Sequence, residues 1–166
     1  MNSFLIDYTD YMRHLAMLHR ELRHSPRERH FFRGELQEFW QQFRSDVRFP
    51  CLIVESSDNE YSTTGDTLTK RRNTSFIVAD HYDQTADFDA IQMALTRCET
   101  IAEQLLGRML RFEEGNPFVS IDTDSLQGHY LQNEADRYAG YRLSFSGITP
   151  ACFYSPNAFD RETALV

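Results

Sequence analysis

The sequence predicts an α+β fold: a mostly antiparallel β-sheet packed against one long amphipathic helix, with two helices at the N-terminus. Three observations carry this expectation. Residues 87–109 hold Phe88, Ile91, Leu95, Cys98, Ala102, Leu105 and Met109 at alternating spacings of three and four, the period of a helix with one apolar stripe. Tyr141, Leu143 and Phe145 alternate with Arg142, Ser144 and Ser146, the period of a half-buried strand. Cys51–Val54 and Thr74–His81 are short runs with apolar centres, as strands covered on both faces read.

From the N-terminus, Phe4, Tyr8, Tyr11, Leu15, Leu18 and Leu22 form one stripe, which predicts a helix over residues 3–24 with Ser3 as its cap. His24-Ser25-Pro26 ends it, because the residue before a proline avoids the α region. A second helix is expected from Pro26 or Arg33 to Phe43, burying Phe32, Leu36, Phe39, Trp40 and Phe43. Gly34 fits that helix poorly. Cys51–Val54 follows as a central strand. The polar segment ESSDNEYSTTGDTLTKRRN, residues 55–73, is rich in threonine and turn residues and suits a β-hairpin. After the strand Thr74–His81, Asp87 caps the long helix, and Gly115-Asn116-Pro117 breaks the chain beyond it. Phe118–Ile121 and Leu126–Gln132 read as two short strands, and the strand around Tyr141 ends near Gly147. The expected order is ααββαβββ in a single domain over 1–166. Within it, 1–46 is a helical part, 47–155 a sheet-plus-helix core and 156–166 a loose tail.

Composition bounds the function. A chain of 166 residues with 41% hydrophobic and 13% aromatic residues buries a core and is not a disordered segment. No apolar run approaches the roughly 18–20 residues of a membrane span. The start MNSFLIDYTDYMRH has no basic leader region, so it does not read as a signal peptide, and a cytoplasmic address is expected. The net charge is −8 and uneven: residues 1–50 hold eight arginines against seven acids, and residues 51–166 hold nine basic residues against eighteen acids. Stable duplex binding needs the opposite sign. An acidic surface that DNA slides past is compatible with the balance.

No pattern of catalytic or ligating residues emerges. His14, His19, His24 and His30 are spaced five, five and six apart, so they fan around a helix instead of converging as metal ligands do. They read as solvated surface histidines. Asp80-His81-Tyr82-Asp83 with Asp87 and Asp89 is the densest acidic stretch, and it reads as a strand-to-helix turn with a cap. It lacks the central glycine and alternating ligands of a calcium loop. Asp122-Thr123-Asp124 reads as a turn between strands. Cys51, Cys98 and Cys152 lie in apolar or aromatic surroundings and are expected to be buried, reduced thiols. No G-x-S-x-G, P-loop or G-x-G-x-x-G occurs, so no catalytic residue, metal or cofactor is assigned. Lys70-Arg71-Arg72 is the compact cationic cluster, in an otherwise acidic half. It serves either as a solvated guard at a strand edge or as a charged loop that pairs with acids on a neighbouring subunit.

The succession FPCLIVESSDNEYSTTGDTLTKRRNTSFIVADHYD, DFDAIQMALTRCETIAEQLL and SLQGHYLQNEADRYAGYRLSFSGITPACFY, over roughly residues 47–155, resembles tail-terminator-like proteins of tailed bacteriophages and phage-derived particles. The likeness lies in element order and texture. It implies a curved sheet flanked by helices, and a homo-oligomeric ring, generally of six copies, that ends a tail tube and meets the head–tail connector protein. Partners would be the chain itself, the tail tube protein and the connector, with DNA passing transiently through the lumen and no membrane. The protein would reside in the tail or neck of a virion made in the bacterial cytoplasm. By this analogy the 57–73 hairpin is an assembly contact, with Glu60, Tyr61, Thr67, Lys70, Arg71 and Arg72 as its candidates. Two other readings stay open: another head–tail completion protein or contractile-injection cap, and a small enzyme or ligand-binding domain.

Overall fold

A computed structural model of the chain describes residues 4–35, 47–64, 67–83, 87–111 and 115–149. They form, in order, α1 (Phe4–Leu18), β1 (Phe31–Arg33), β2 (Cys51–Val54), β3 (Asp58–Thr64), β4 (Thr67–His81), α2 (Phe88–Met109), β5 (Ser120–Asn133) and β6 (Tyr138–Thr149). The strands make one mixed sheet in the order β1-β2-β4-β6-β5, with β3 also paired to β4. β1 runs parallel to β2, and the remaining pairings are antiparallel. β4 is the axis. Residues 76–79 pair with β2, residues 67–73 with β3, and residues 70–81 with β6 on the other side. β2 and β3 therefore lie end to end along one flank of β4.

Strand alternation divides the core. Leu52, Val54, Phe76, Val78, Leu143 and Phe145 point to the helices, where they meet Tyr8, Met12 and Leu15 of α1 and Cys98, Ile101, Leu105 and Met109 of α2. Cys51, Ile53, Ile77 and Ala79 point the other way, into a smaller cluster with Phe32 and the half-buried Phe49 and Leu131. The centre of β4 is thus covered on both faces, as its apolar run predicts.

α2 forms as its period dictates. Asp87 stands at the N-cap and its carboxylate accepts from the Ala90 N–H at 2.9 Å, satisfying a donor that the first helical turn leaves open. The buried stripe runs from Leu95 to Met109. Phe88, expected on that stripe, is 74% exposed.

The N-terminal region departs from expectation in three ways. α1 ends at Leu18 instead of near residue 24. The chain then turns through Arg23, at φ 44°, and the His24 N–H returns to the Ala16 carbonyl. Leu18 is exposed and Met12 takes the central buried position, while Leu22 re-enters the core from the turn. The second helix does not start at Pro26, because Phe31–Arg33 is a strand whose partner is Leu52–Val54. Its glycine makes sense there: Gly34 has φ 147° and donates to the Val54 carbonyl, closing the strand in a conformation that favours glycine. Leu36, Phe39, Trp40 and Phe43 lie outside the described residues.

The two short strands expected at 118–121 and 126–132 are one strand, β5, with a register shift between Asp122 and Gln127. The expected turn at Asp122-Thr123-Asp124 is this bulge. Asp122 accepts from the Asp124 N–H through its carboxylate and from the Ser125 hydroxyl through its carbonyl, and Ser125 Oγ accepts from the Ser146 N–H. Side chains thereby satisfy backbone groups that the bulge takes out of the ladder.

Candidate assembly surface

β3 and the first half of β4 form a two-stranded arm, in register from Asp58 opposite Asn73 to Thr64 opposite Thr67. On the far side of β4, β6 reaches Lys70 through its last rung with Thr149. Among the described residues, the arm beyond Lys70 has no second neighbour. Ser62 and Thr69, opposite one another, form a hydroxyl pair across its two strands at 3.0 Å.

The period of two splits the cationic cluster. Lys70 and Arg72 face the helix side of the sheet, and Arg71 faces away. Arg72 is 7% exposed: its Nε donates to Thr149 Oγ1 at 3.2 Å and a terminal nitrogen to Asn59 Oδ1 at 2.6 Å. Burial lowers its pKa. Arg72 therefore fastens the arm to the end of β6. Arg71 is exposed and lies 3.3 Å from the Asp122 carboxylate on β5. Lys70 sits over the ring of its cross-strand partner Tyr61, 5.2 Å from the centroid, and Tyr61 is 56% exposed. Glu60 is exposed and accepts from Asn73 Nδ2 at 2.8 Å. Thr67 closes the outermost rung opposite Thr64. Of the six candidates, then, Tyr61 and Lys70 present one continuous surface, Glu60 and Arg71 present the opposite one, and Arg72 is internal.

A polar network that sequence reasoning did not single out lies at the root of the arm, on the sheet face away from the helices. Glu55 is buried between β2 and β3. It accepts from the Ser75 hydroxyl and from an Arg142 terminal nitrogen, both at 2.6 Å. Beside it, the Ser146 hydroxyl donates to Asn73 Oδ1 at 2.6 Å. Arg142 Nε is buried with no hydrogen-bond partner among the described residues. The signal was a glutamate directly after the apolar run Cys51–Val54, on the same sheet face as Arg142 of β6.

The other candidate groups are spent on the fold. Asp80 is buried, accepts from a terminal nitrogen of Arg97 at 2.8 Å and receives the His81 N–H; Arg97 Nε donates to Glu21 at 2.6 Å. This joins the turn after α1, β4 and α2. No group of three or more His, Cys, Asp or Glu is placed to hold a metal among the described residues. The histidines differ from one another. His14 is exposed, and His19 shares a hydrogen bond with Gln104 at 2.8 Å. His30 is buried instead of solvated, with its Nδ1 2.7 Å from the Pro50 carbonyl, so that nitrogen carries the proton. His24 Nδ1 accepts from the His30 N–H, and burial together with Arg13 lowers the His24 pKa.

Cys51 and Cys98 are buried and free. Burial raises both thiols, Cys98 to about 12, which keeps them protonated near neutral pH. Cys152 lies outside the described residues. A groove of about 360 Å³ beside the β5–β6 turn is lined by Ile77, Ala79, Leu131, Asn133, Glu134 and Tyr138, among others. Its described lining brings one carboxylate, Glu134, and one phenol, Tyr138. No described helix is long and apolar enough to cross a membrane. No family model matches the sequence, and comparison with curated proteins finds no match.

Proposed function

We propose that this chain is a structural subunit of a phage-tail-like assembly, a ring-forming protein that ends a tail tube and joins it to the head connector, without catalytic activity of its own. The observation that carries this reading is the β3–β4 arm: a polar two-stranded extension of the central strand, anchored at its root by Arg72 and displaying Tyr61 and Lys70 at its surface. An exposed tyrosine such as Tyr61 is the kind of residue in which protein interfaces are enriched. The element order supports the same reading, since a long helix backs the sheet and a hairpin leaves it. The buried charged groups Glu55, Arg72 and Asp80 are held in hydrogen bonds between elements of the fold, which favours a scaffold over an enzyme.

The test is assembly. Light scattering of the purified chain, alone and with tail tube protein, is expected to show a ring-sized species. A strictly monomeric chain under both conditions defeats the reading. A variant that replaces residues 61–70 with a two-residue turn keeps the rungs from Arg71 to Asn73 that β6 needs. It is expected to fold and to remain monomeric. Full assembly by that variant removes the arm from the mechanism.

A further inference from the structure

The two outer edges of the sheet carry opposite charge. On the β1 side, residues 20–33 contain five arginines against two glutamates. Arg27, Arg33 and Arg48 are exposed and pair with no carboxylate among the described residues. Arg29 is exposed over the ring of Phe32, and its carbonyl accepts from the Arg48 N–H at 3.1 Å, which brings Arg29 and Arg48 together ahead of β1 and β2, while Arg33 ends β1 opposite Val54. On the β5 side, residues 120–136 contain four acids and no lysine or arginine. Asp124 and Glu134 are exposed there and have no basic partner among the described residues. In the sheet order β1-β2-β4-β6-β5, β1 and β5 are the terminal strands. β5 is fourteen residues long and pairs with β6 alone among the described strands.

A long, open strand edge is a standing template for another chain, and natural proteins guard such edges with lysine, proline or a covering segment. Described β5 has neither lysine nor proline. An edge whose exposed acids have no basic partner among the described residues, in a molecule whose opposite edge holds arginines with no carboxylate partner among them, is complementary to a second copy of itself. The two patches differ, so the contact is heterologous: each copy offers one edge to its neighbour, and repetition produces a ring or an open filament.

We infer that the arginine-bearing β1 edge of one copy docks against the acidic β5 edge of the next, with Arg27, Arg33 and Arg48 facing Asp124 and Glu134. This deepens the ring reading and rests on its self-association; it adds a lateral contact at the sheet edges to the one made by the β3–β4 arm.

The experiment uses two charge-reversed full-length chains, R27E/R33E and D124R/E134R, all at exposed positions, with circular dichroism to check folding. Each alone is expected to self-associate about tenfold more weakly than the unaltered chain in analytical ultracentrifugation, as removal of opposed interfacial charges does. Mixed one to one, the two are expected to associate again, because each then meets its complement at both edges. Failure of the mixture to recover, or undiminished association of either variant alone, overturns the edge contact while leaving the ring reading intact. A monomeric unaltered chain overturns both. Duplex DNA binding at 0.15 M salt that is lost in R27E/R33E, with oligomer size unchanged, overturns the edge contact in favour of a phosphate-binding patch.

Discussion

β4 is one continuous strand with two halves that obey different physics. From Thr74 to Asp80 nearly every side chain is buried, with β2 and β6 on its flanks and apolar clusters on both faces. From Thr67 to Asn73 the strand's sequence is largely polar, its flanking partner is β3, and its contacts include one hydroxyl pair, one cation over a ring and an exposed ion pair from Arg71 to Asp122 of β5. The first half draws its stability from area removed from water, at about 25 cal/mol per Å². The second draws little from burial beyond Arg72, and exposed pairs contribute about 0–1 kcal/mol each. The strand therefore carries the fold at one end and a surface free for other contacts at the other.

The largest effect is expected at the inner half. Phe76 is fully buried and meets the Phe145 ring edge-on at 6.5 Å between centroids. Phe76→Ala is expected to cost about 3–5 kcal/mol through lost transfer energy and the cavity left behind. A urea titration reads this as a lower midpoint with the slope retained. A loss below about 1 kcal/mol, the level expected of the arm, would erase the distinction between the halves.

The junction comes next. Glu55 lies where β2 gives way to β3, and it answers both Ser75 and Arg142. Glu55→Ala leaves the Arg142 guanidinium short of its carboxylate partner. The expected cost is about 2 kcal/mol, less than for a fully enclosed pair because Arg142 is itself 34% exposed. The same measurement on the Arg142→Met, Glu55→Ala double variant should recover part of the loss. Absence of any recovery would mean that the two groups act independently.

At the outer boundary, Gly147 faces Arg72 across the β4–β6 ladder, and the Phe118 ring occupies the space a Cβ would need. Gly147→Ala is expected to cost about 1–3 kcal/mol by displacing that ring. Phe118 also packs edge-on against Tyr8 and Phe145, so the disturbance should reach α1. Chemical-shift changes confined to the arm would contradict this.

The inner half was the legible one. Apolar runs and the three-four period of α2 point at the same core from local pattern alone, and the Asp87 cap follows from helix chemistry. What escaped reading depends on pairing between distant residues. Phe31–Arg33 is too short to show a period, and it becomes a strand because Leu52–Val54 lies beside it in parallel. Met12 is buried and Leu18, the last residue of α1, is exposed, a distinction that the stripe's spacing alone does not make. The hairpin at 57–73 was visible from its threonines, yet Lys70-Arg71-Arg72 looked like one patch. Alternation assigns its members to opposite faces, and the end of β6 captures Arg72. His30 and Glu55 were missed as buried groups because their partners, the Pro50 carbonyl and Arg142, are remote in sequence or on the backbone.

The smallest expected effect on stability tests the outer half most directly. Tyr61 contributes to the folded chain through the Lys70 ammonium over its ring. An exposed pair of this kind is worth about 0.5–1 kcal/mol, so Tyr61→Ser should shift the urea midpoint by no more than that. A double-variant cycle with Lys70→Met should return a coupling of the same size. Because the ring is more than half exposed, the substitution removes contact area from the arm's surface without opening a cavity. If the arm is an assembly element, Tyr61→Ser lowers oligomer content in light scattering while the fold stays intact. A midpoint shift as large as that of Phe76→Ala would show that the arm is part of the cooperative core. Unchanged assembly at an unchanged midpoint would show that Tyr61 faces no neighbour, and the self-association would then have to come from the charged sheet edges alone.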